Sequence, residues 1–576
     1  MPSNKEIADM LDLLADLMEL DGANKYKTIA VQKAARRMEA ANFSVEEATA
    51  RGGLREIPDI GERIAAKIEE FITTGRLAEI EEYLETYPED LVRIMRVQGV
   101  GPKTARKVWQ ELGISSLDQL EAAASSGQVA SLPGLGKKSE ENILQAIERL
   151  RARGQRLLLG DVLPVAEESV EILRDIPEAR NVSYAGSVRR MRETVKDLDI
   201  IATASEPSAL TGRFCKLPMV AEIVGSGPTK CSVRTHTGLQ VDLRVVPHSQ
   251  FGSLLQHFTG SKEHNVALRE LALTKGLSVS EYGVEETETG KLHECATEKE
   301  LYRLLGLDYI PPELRENNGE IEAAAAGRLP KLIEYGDLKG DMHIHTNWSE
   351  GDVNIAEMAR AAKKRGLKYM TVSDHSQSMG MVQGLTPEKV GPQQEEIARV
   401  NREMKGFHIF SGVELDVRAD GTLDFADEVL ALFDFVTVSI HSGFSQTRSR
   451  ITKRLRNAME NPHVRAIGHP TGRLINKRDP YDVDIGEIIE MAATTGTALE
   501  INSHYRRLDL ADIHARAAQE AGVKLLINSD AHRPAELDML RYGIAAARRG
   551  WVRRETVLNT LPLPRLKALL NKPKAP

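Results

Sequence analysis

The sequence predicts a multidomain α/β protein with a helical N-terminal region, a central α+β region and a C-terminal distorted β/α barrel. A chain of 576 residues is too long for a single hydrophobic core. Up to about residue 150, apolar side chains recur at helical spacing between polar turns. From about residue 157 strands mix with helices, and after residue 341 strand-like segments alternate with amphipathic helices. That alternation is typical of a barrel-like α/β domain.

The composition is that of an ordinary soluble protein, with 41% hydrophobic and 28% charged residues. No apolar run approaches the roughly 20 residues that cross a bilayer, and the N-terminus has no signal-peptide pattern. Three scattered cysteines, Cys215, Cys231 and Cys295, lack metal-ligand spacing and indicate a reducing compartment. We therefore expect a cytoplasmic protein with no membrane partner.

Net charge is a weak guide to the partner of this chain. A formal net charge of -8 argues, taken alone, against a nucleic-acid ligand, but a basic footprint can be local. One basic patch comprises Arg149, Arg151, Arg153 and Arg156, and a second runs from Arg448 through Lys453 and Arg454 to Arg456. The second patch could steer a DNA strand or form a solvated helix face, and the sequence favours neither.

A short turn motif recurs three times in the helical region, at residues 57–61, 97–101 and 132–136. Each copy precedes a helix, and glycine lets backbone N–H groups at a helix N-terminus face outward. Such a hairpin suits a phosphate of the DNA backbone and reads no base. The candidate DNA-binding residues are Gly61, Gly99, Gly101, Gly134 and Gly136.

Three aspartates mark the first candidate catalytic site. Asp197 and Asp199 alternate along one predicted strand, so both carboxylates face the same side. Asp242 lies in a second predicted strand. Three such carboxylates can hold two Mg²⁺ or Mn²⁺ ions, whose coordination a triphosphate and an attacking 3′-hydroxyl would complete. An Asp-x-Asp pair alone is more often a solvated loop, but the third aspartate and a glycine motif upstream favour catalysis.

That upstream motif is a candidate triphosphate-binding segment. It runs from Gly186 through Ser187 to Arg190, follows a predicted strand and opens a helix. Backbone N–H groups, a hydroxyl and a guanidinium at this place would bind the triphosphate.

These motifs resemble the X family of DNA polymerases in its bacterial type, over roughly residues 1 to 320. The run from Phe258 to Asn265, followed by Arg269, is similar to the family's nucleotide-pocket segment, and the glycine turns are similar to its helix-hairpin-helix elements. The resemblance implies that Phe258 and Gly260 flank the sugar, Asn265 contacts the incoming base and Arg269 contacts the template strand. It also implies gapped or nicked DNA and deoxynucleoside triphosphates as substrates, in short-gap filling during base excision repair.

Some positions depart from the family pattern. His257 precedes Phe258 where the family has an aromatic pair, and Lys262 replaces an acidic residue at the base-facing position. Strict rejection of ribonucleotides is therefore not predicted. In the first turn, Asp59 stands where glycine would bend most freely, which weakens the expected phosphate contact.

Lys67 falls where animal relatives of this family place a Schiff-base lysine. A deprotonated amine there could attack the sugar of an abasic site and eliminate the 5′-phosphate. Alternatively, Lys67 is only a phosphate contact or an exposed helix residue. A 5′-deoxyribose-phosphate lyase activity thus stays an open hypothesis.

The second candidate site consists of histidines and acids at or just beyond predicted strand ends, where barrel active sites assemble. The candidate ligands are His343, His345, Glu350, His375, Glu414, His441, His469, Asp530 and His532. Imidazole and carboxylate groups suit Zn²⁺, Mn²⁺ or Fe²⁺. So many ligands would hold a cluster of two or three ions that activates water and neutralises a phosphate. A lone histidine is more often structural, but this concentration at strand ends argues for a metal site.

This ligand set resembles the PHP domain, over about residues 338 to 576. The resemblance implies a distorted barrel with a trinuclear site formed by those nine residues. Glu350 occupies a position that relatives often fill with Asp or His, and Asp352 is a nearby alternative. Because no ligand position is lost, we expect an active phosphoesterase with 3′–5′ exonuclease activity and with cleavage at abasic or blocked 3′ ends.

The motifs predict an order of six segments. Residues 1–90 form an N-terminal helical, lyase-like DNA-binding domain, 91–156 the fingers with helix-hairpin-helix elements, 157–250 the nucleotidyltransferase palm, 251–320 the thumb with the nucleotide pocket, 321–337 a linker and 338–576 the PHP domain. We expect a monomer associated with the bacterial nucleoid, and the sequence identifies no other repair protein as a partner.

Two alternatives remain. The barrel could be a small-molecule phosphatase fused to a polymerase, which the DNA-binding turns of the front half disfavour. The chain could also be a non-catalytic scaffold for DNA ends, which the presence of all three aspartates disfavours. Cleavage of DNA against histidinol phosphate would decide the first, and metal-dependent nucleotide incorporation the second.

Overall fold

The computed structural model describes residues 4–39, 49, 53–57, 60–95, 97, 99–153, 156–236, 238–378 and 384–572. The chain forms two compact units, residues 1–155 and 156–576. Each unit has hydrophobic cores of its own. In the described ranges, no helix is long and apolar enough to cross a bilayer.

The N-terminal unit is built from helices packed around one core that includes the fully buried Leu14, Leu91 and Ile147. Its helices are α1 (Asn4–Asp21), α2 (Lys25–Glu39), α3 (Glu62–Thr74), α4 (Ala78–Thr86), α5 (Glu89–Met95), α6 (Pro102–Leu112), α7 (Leu117–Ser125) and α8 (Lys137–Arg153). Ser116 begins α7 as a capping box, because its hydroxyl accepts from the backbone N–H of Gln119. The predicted helical front region is confirmed.

All three glycine turns of this unit lead into the start of a helix. Gly61 and Gly101 are the N-cap residues of α3 and α6, and Gly136 directly precedes α8. Gly99 and Gly134 have φ angles of 90° and 85°, a left-handed conformation that favours glycine. A Cβ added at any of the five would meet nothing within 4 Å, so these turns face open space. Pro58, Asp59, Gln98 and the side chains of Arg149, Arg151 and Arg153 lie outside the described residues.

A five-stranded mixed sheet is the centre of the palm. Its order is β2-β4-β7-β6-β5, in which only β4 and β7 are parallel neighbours. The strands are β2 (Ala179–Tyr184), β4 (Asp197–Ala204), β5 (Val220–Ser226), β6 (Lys230–Thr235) and β7 (Gln240–Val245), with β1 (Leu157–Leu158) paired to β3 (Thr194–Val195) beside them. The palm helices are α9 (Leu159–Arg174), α10 (Gly186–Arg189) and α11 (Pro207–Phe214). Leu198 and Ile200 alternate with the half-buried aspartates of β4, so one face of the strand enters the core.

The thumb follows the palm as a small α+β region. It contains α12 (Phe251–Thr259), α13 (Lys262–Thr274), α14 (Glu298–Leu304) and α15 (Glu320–Ala325), and an antiparallel sheet of β8 (Leu277–Val279), β9 (Val284–Glu286) and β10 (Leu292–His293). Leu268, Leu301 and Tyr302 form its buried centre.

The segment expected to be a linker, residues 321–337, is instead folded onto this core. Asn317 and Gly319 have φ angles of 58° and 94° and turn the chain into α15. Ile321 and Ala324 of that helix, and Leu332 after it, are buried in the thumb. The linker prediction was wrong because a run of alanines, although low in complexity, is also the strongest helix former.

The C-terminal barrel has seven parallel strands in sequential order, from β11 to β17. They are β11 (Gly340–Ile344), β12 (Tyr369–Val372), β13 (His408–Asp416), β14 (Phe435–Ser439), β15 (Val464–Ile467), β16 (Ala498–Asn502) and β17 (Leu525–Asn528). A parallel bridge between Ile344 and Ala531 brings the last strand back to the first. The strands are buried almost throughout, as expected for a parallel sheet covered on both faces.

Helices surround the barrel strands. They are α16 (Ile355–Lys364), α17 (Pro387–Glu403), α18 (Asp427–Leu430), α19 (Arg448–Glu460), α20 (Ile485–Thr495), α21 (Asp512–Glu520), α22 (Leu540–Arg549) and α23 (Leu563–Leu570). The multidomain α/β class, with a helical front region, a palm and thumb and a distorted barrel, is therefore confirmed.

The barrel packs directly against the palm and thumb. Leu508 and Tyr542 of the barrel are buried in the palm core, and a Cβ at Gly160 would lie only 2.2 Å from the ring of Tyr505. Five barrel arginines reach across. Four of them form ion pairs with glutamates of the palm or thumb: Arg473 with Glu193, Arg541 with Glu167, Arg548 with Glu313 and Arg549 with Glu316. The fifth, Arg516, donates to the Asn318 carbonyl. Palm, thumb and barrel thus share one interface.

Candidate active sites

The three palm carboxylates lie on two neighbouring parallel strands. Asp199 of β4 is opposite Asp242 of β7, and Asp197 is opposite Gln240. Burial, together with the charges of Asp197 and Asp242, raises the pKa of Asp199 to about 7. A divalent cation would relieve this concentration of negative charge. The all-carboxylate donor set fits a hard cation such as Mg²⁺ or Mn²⁺.

Two polar side chains that the sequence interpretation missed hold Asp242 in place. Ser232 of β6, the cross-strand partner of Asp242, donates its hydroxyl to Oδ1. Gln240 donates from Nε2 to Oδ2 over 3.0 Å. Gln240 could have been found from its place two residues before Asp242, on the same face of the strand. The contact of Ser232 with Asp242 depends on the pairing of β6 with β7, which no local sequence pattern predicts.

Gly186 brings the start of α10 against the carboxylates. Its φ is 64°, and a Cβ there would lie 3.1 Å from Oδ2 of Asp199. The preceding Ala185 donates its backbone N–H to the Asp199 carbonyl over 2.8 Å. Ser187 is half-buried in the first turn of α10. The backbone at the predicted triphosphate segment is therefore held next to the predicted metal-binding carboxylates.

Arg190, predicted to bind the triphosphate, has its guanidinium engaged by the thumb. Nε donates to Oε1 of Glu316 over 3.0 Å, and Nη1 donates to the Thr259 carbonyl. A Cβ at the next residue, Gly260, would lie 3.1 Å from that same Nη1. In this structure Arg190 therefore fastens the palm to the nucleotide-pocket segment.

His257 connects the remaining residues of the predicted nucleotide pocket. Its carbonyl accepts from Asn265 Nδ2 over 2.8 Å, and its ring Nδ1 lies 3.3 Å from Arg269 Nη2. The Arg244 guanidinium lies 4.5 Å from the ring centre of the neighbouring Phe258. The residue that departs from the family pattern thus contacts both side chains to which the resemblance assigns base and template contacts.

Lys67 is half-buried on α3 and forms an ion pair with Glu79 of α4. Burial lowers the pKa of its amine. The lowered pKa is what a Schiff-base lysine needs, whereas the ion pair holds the amine in its charged form.

The nine predicted ligands of the barrel converge at the carboxyl ends of its strands. Glu350 bridges two imidazoles, with Oε1 at 2.6 Å from His375 Nε2 and 2.9 Å from His532 Nε2. Glu414 bridges others, with Oε2 at 2.9 Å from His375 Nδ1 and Oε1 at 2.9 Å from His469 Nε2. Glu350 rather than Asp352 therefore occupies the ligand position.

These side chains form three overlapping groups in which the ligand atoms all lie within 4.8 Å of one another. The groups are His345, Glu350, His375 and His532; His343, His345 and Asp530; and His375, Glu414 and His441. Nδ1 of His345, Oε2 of Glu350 and Nδ1 of His469 are buried and have no hydrogen-bond partner among the described atoms. Buried polar atoms without partners are costly, so a cluster of two or three metal ions fits this donor set.

Charge at the cluster acts in both directions: it favours the metal-binding forms of His345 and Glu414, whereas neighbouring carboxylates raise the pKa of His375 to about 10 and of His532 to about 9, so that a metal ion would have to displace their protons. Burial and the neighbouring His532 and His375 lower the pKa of His345 to about 4, which leaves a neutral imidazole. Burial alone would raise the pKa of Glu414, but His375 and His343 hold it well below its ordinary value. Neutral imidazole and ionised carboxylate are the forms that coordinate metals.

Two supporting acids of this site were missed by the sequence interpretation. Glu500 of β16 is fully buried, with Oε1 at 2.8 Å from His343 Nδ1, and its Oε2 accepts from the His469 backbone N–H over 2.7 Å. Asp416 lies 3.5 Å from His441 Nδ1. Such carboxylates orient metal-binding imidazoles. Glu500 was recognisable as a charged residue inside an otherwise apolar predicted strand.

The basic patch of residues 448–456 is mostly engaged by the protein itself. Arg454 is buried and donates to the Ser442 carbonyl over 3.0 Å. Arg448 pairs with Asp482 at 2.8 Å, and Arg456 pairs with Glu487 at 3.3 Å. Arg454 therefore supports the barrel and is not available to a DNA strand.

Four protein families match parts of the chain, and none of these matches covers the palm or the last strand of the barrel. A helix-hairpin-helix domain matches residues 2–77, and a SAM-like helix-hairpin-helix tandem matches residues 91–149. The DNA polymerase beta thumb matches residues 254–316, and the PHP domain matches residues 341–504.

Similar individual proteins cover both halves of the chain. The DNA polymerase/3′-5′ exonuclease PolX of Bacillus subtilis (strain 168) is 41% identical over 570 residues, 99% of each chain. DNA polymerase lambda of Rattus norvegicus is 25% identical over 54% of this chain and 56% of its own. A probable phosphatase of Thermoanaerobacter sp. (strain X514) is 30% identical over 38% of this chain and 89% of its own. The chain belongs to the X family of DNA polymerases, in the branch that carries a C-terminal PHP domain.

Proposed function

We propose that the chain is a DNA polymerase that fills short gaps during DNA repair and that trims 3′ ends with a 3′–5′ exonuclease in its barrel. The observation that carries this proposal is that palm carboxylates and barrel histidines and acids form two separate clusters that could hold metal ions, in a chain that matches a polymerase/exonuclease along 99% of its length. We further propose that it works as a monomer in the bacterial cytoplasm, on gapped or nicked DNA of the nucleoid.

In the palm, Asp197, Asp199 and Asp242 would hold two Mg²⁺ or Mn²⁺ ions. When bound, these ions neutralise the triphosphate and favour ionisation of the primer 3′-hydroxyl. Ser232 fixes the orientation of Asp242, and Gly186 lets the backbone approach Asp199. The 3′-oxygen forms a bond to the α-phosphorus of the nucleotide, and pyrophosphate leaves.

In the barrel, the nine converging ligands would hold a cluster of Mn²⁺, Zn²⁺ or Fe²⁺. When bound, the cluster supplies an activated water and neutralises the scissile phosphate. Glu500 orients the imidazole of His343 and the backbone of His469. Hydrolysis of the terminal phosphodiester would leave a 3′-hydroxyl that the palm can extend.

The test uses a labelled DNA with a single-nucleotide gap, incubated in Mn²⁺ with and without deoxynucleotides. Asp242→Ala should lose extension and keep 3′ trimming, and His343→Ala should do the reverse. His463→Ala, a barrel histidine outside the cluster, is the matched control and should keep both. If the wild type neither extends nor trims in Mn²⁺, nor with Mg²⁺, Zn²⁺ or Fe²⁺ in its place, a non-catalytic scaffold for DNA ends replaces this proposal.

Phosphatase action on a small molecule is the second candidate for the barrel, favoured by its 30% identity to a probable phosphatase. Histidinol phosphate and a 3′-labelled DNA, offered at equal concentration, separate the two. Faster release of phosphate from histidinol phosphate would mean that the barrel is not primarily a nuclease.

Lyase action at Lys67 is a separate candidate, favoured by the burial that lowers the pKa of its amine. Borohydride should trap the wild type on DNA that carries a 5′-deoxyribose phosphate. Lys67→Ala should abolish the trapped species, while Lys103→Ala, at another hairpin helix, should not. Equal trapping in both variants would remove Lys67 from the reaction.

A further inference from the structure

Arg549, the last residue of α22, lies in the barrel but contacts the nucleotide site of the palm. Its side chain is only 3% exposed. Nη1 donates to the backbone carbonyl of Arg190 over 3.1 Å and to Oε1 of Glu316 over 2.9 Å. Nη2 donates to Oδ2 of Asp512, in α21 of the barrel, over 2.7 Å. One buried guanidinium therefore joins palm, thumb and barrel.

The contacts of Arg549 continue to the nucleotide pocket. The Glu316 oxygen that accepts from Arg549 also accepts from Nε of Arg190 over 3.0 Å. The guanidinium of Arg190 then donates to the Thr259 carbonyl, one residue before Gly260. An uninterrupted series of charge-assisted hydrogen bonds, which are among the stronger ones in proteins, thus runs from Asp512 to the pocket segment.

We propose that Arg549 is a positioning residue for nucleotide binding: it fixes Arg190 and Glu316, and through them the Thr259–Gly260 backbone, in the geometry that receives the nucleotide. This inference rests on the proposed polymerase activity. Without Arg549, Glu316 keeps its contact with Arg190 but loses the partner that anchors it to the barrel. Nucleotide binding would then be weaker, because ordering the pocket, which is preorganised in the intact chain, would cost free energy.

The adjacent Arg548 provides a matched control. It also crosses from barrel to thumb, with Nε at 2.7 Å from Glu313 Oε1 and Nη1 donating to the Ile333 carbonyl over 2.8 Å. In the part of the chain that the structure describes, Arg548 makes no hydrogen bond or ion pair with Arg190 or Glu316. Replacement of Arg548 therefore removes a comparable interface pair and leaves the path to the pocket intact.

The experiment measures two quantities on the full chain for Arg549→Met, Arg549→Lys and Arg548→Gln. One is the Kd of a deoxynucleotide for enzyme bound to gapped DNA with a dideoxy-terminated primer, and the other is the KM and kcat of gap filling. For Arg549→Met we expect Kd and KM to rise roughly tenfold, within the range of such couplings, with a smaller change in kcat. Arg549→Lys should restore part of the affinity, because it keeps the charge but not the planar donor geometry.

Exonuclease rate on the same DNA serves as the internal control for barrel folding. The inference is supported if Arg549→Met weakens nucleotide binding, Arg548→Gln does not, and both trim 3′ ends like the wild type. It is overturned if Arg549→Met binds nucleotide normally, or if both variants lose nucleotide binding and trimming together. A wild type that binds nucleotide but does not incorporate it would contradict the proposed polymerase activity, and Kd would still decide the role of Arg549.

Discussion

Gly186 brings the backbone close to a palm carboxylate. Gly186→Ala would place a methyl group 3.1 Å from Oδ2 of Asp199 at a φ of 64°, which is strained for any residue with a Cβ by about 1–2 kcal/mol. We expect gap filling to fall at least tenfold while 3′ trimming is unchanged, as measured on one gapped DNA. Gly212→Ala, at a helical position with nothing within 4 Å, should leave both rates unaltered; an equal loss in the two variants would contradict this.

Glu500 shows how a residue outside the ligand set controls it. Glu500→Gln removes the charge that orients Nδ1 of His343, and losses of this kind typically cost 10- to 100-fold in metal affinity or activity, roughly. We expect trimming to fall by about that factor and bound metal after dialysis to decrease, with gap filling retained. The exposed Glu490 on α20 supplies the control Glu490→Gln. Full metal content and full trimming in Glu500→Gln would rule out this supporting role.

Individual residues differ in how far the sequence predicts them. The nine barrel ligands could be chosen because most of them stand at or just past a predicted strand end, and parallel strands gather such positions at one mouth. Glu500 stood out in the sequence only as a charged residue in an apolar predicted strand, and its supporting role became visible from its 2.8 Å contact with His343, far away in the chain. The sequence motif identified Arg190 as a site residue, but its hydrogen bond to Glu316 depends on how the thumb folds against the palm. Apart from Gln240, which lies on the same strand as Asp242, the residues that were not foreseen act through long-range contacts.

Each helix-hairpin-helix turn is expected to bind a DNA phosphate through the backbone N–H groups of the whole turn. Gly134→Ala would impose strain at a φ of 85° and disturb the N–H groups that precede α8. We expect the Kd for gapped DNA to rise severalfold and the salt dependence of binding to weaken, since fewer phosphates are contacted. Gly127→Ala is matched in strain, with a φ of 80° and nothing within 4 Å, but lies after α7 and outside the three glycine turns. Fluorescence anisotropy across a salt series measures both; identical curves would disprove a DNA contact at Gly134.

Elements with a strong periodicity were predicted well, and short or irregular ones were not. The strands that carry Asp197 and Asp242 and the strands of the barrel were recognisable, because apolar runs ended at polar or charged tips. α15 was taken for a linker, since six residues carry too little periodicity to separate a short helix from a low-complexity segment. Only its burial against the thumb core identifies it as part of the fold.

At the scale of the whole molecule, the shared core predicts that palm and barrel lose their structure together. Tyr542 is 7% exposed and belongs to the barrel, yet it is buried in the palm core. Tyr542→Ala should cost about 3 kcal/mol, as other buried aromatic truncations do. Half-inactivation temperatures of gap filling and of trimming should therefore fall by a similar amount, measured after brief heating. Ile513→Ala, at a side chain that is 64% exposed, should shift neither. A drop in one activity alone would show that the two parts unfold independently.

The contact between Gly160 and Tyr505 has a consequence for how such chains can change over time. The Tyr505 ring occupies the space that a Cβ at position 160 would need. Gly160 and Tyr505, 345 positions apart in sequence, can therefore vary only together. A barrel borrowed from a free-standing phosphatase would meet a palm surface that it does not fit. Recombination between homologous genes should then be tolerated when the crossover precedes residue 156, and rejected when it falls between palm and barrel. The junction between palm and barrel, which looks like a domain boundary in the sequence, is therefore the place where recombination is least tolerated.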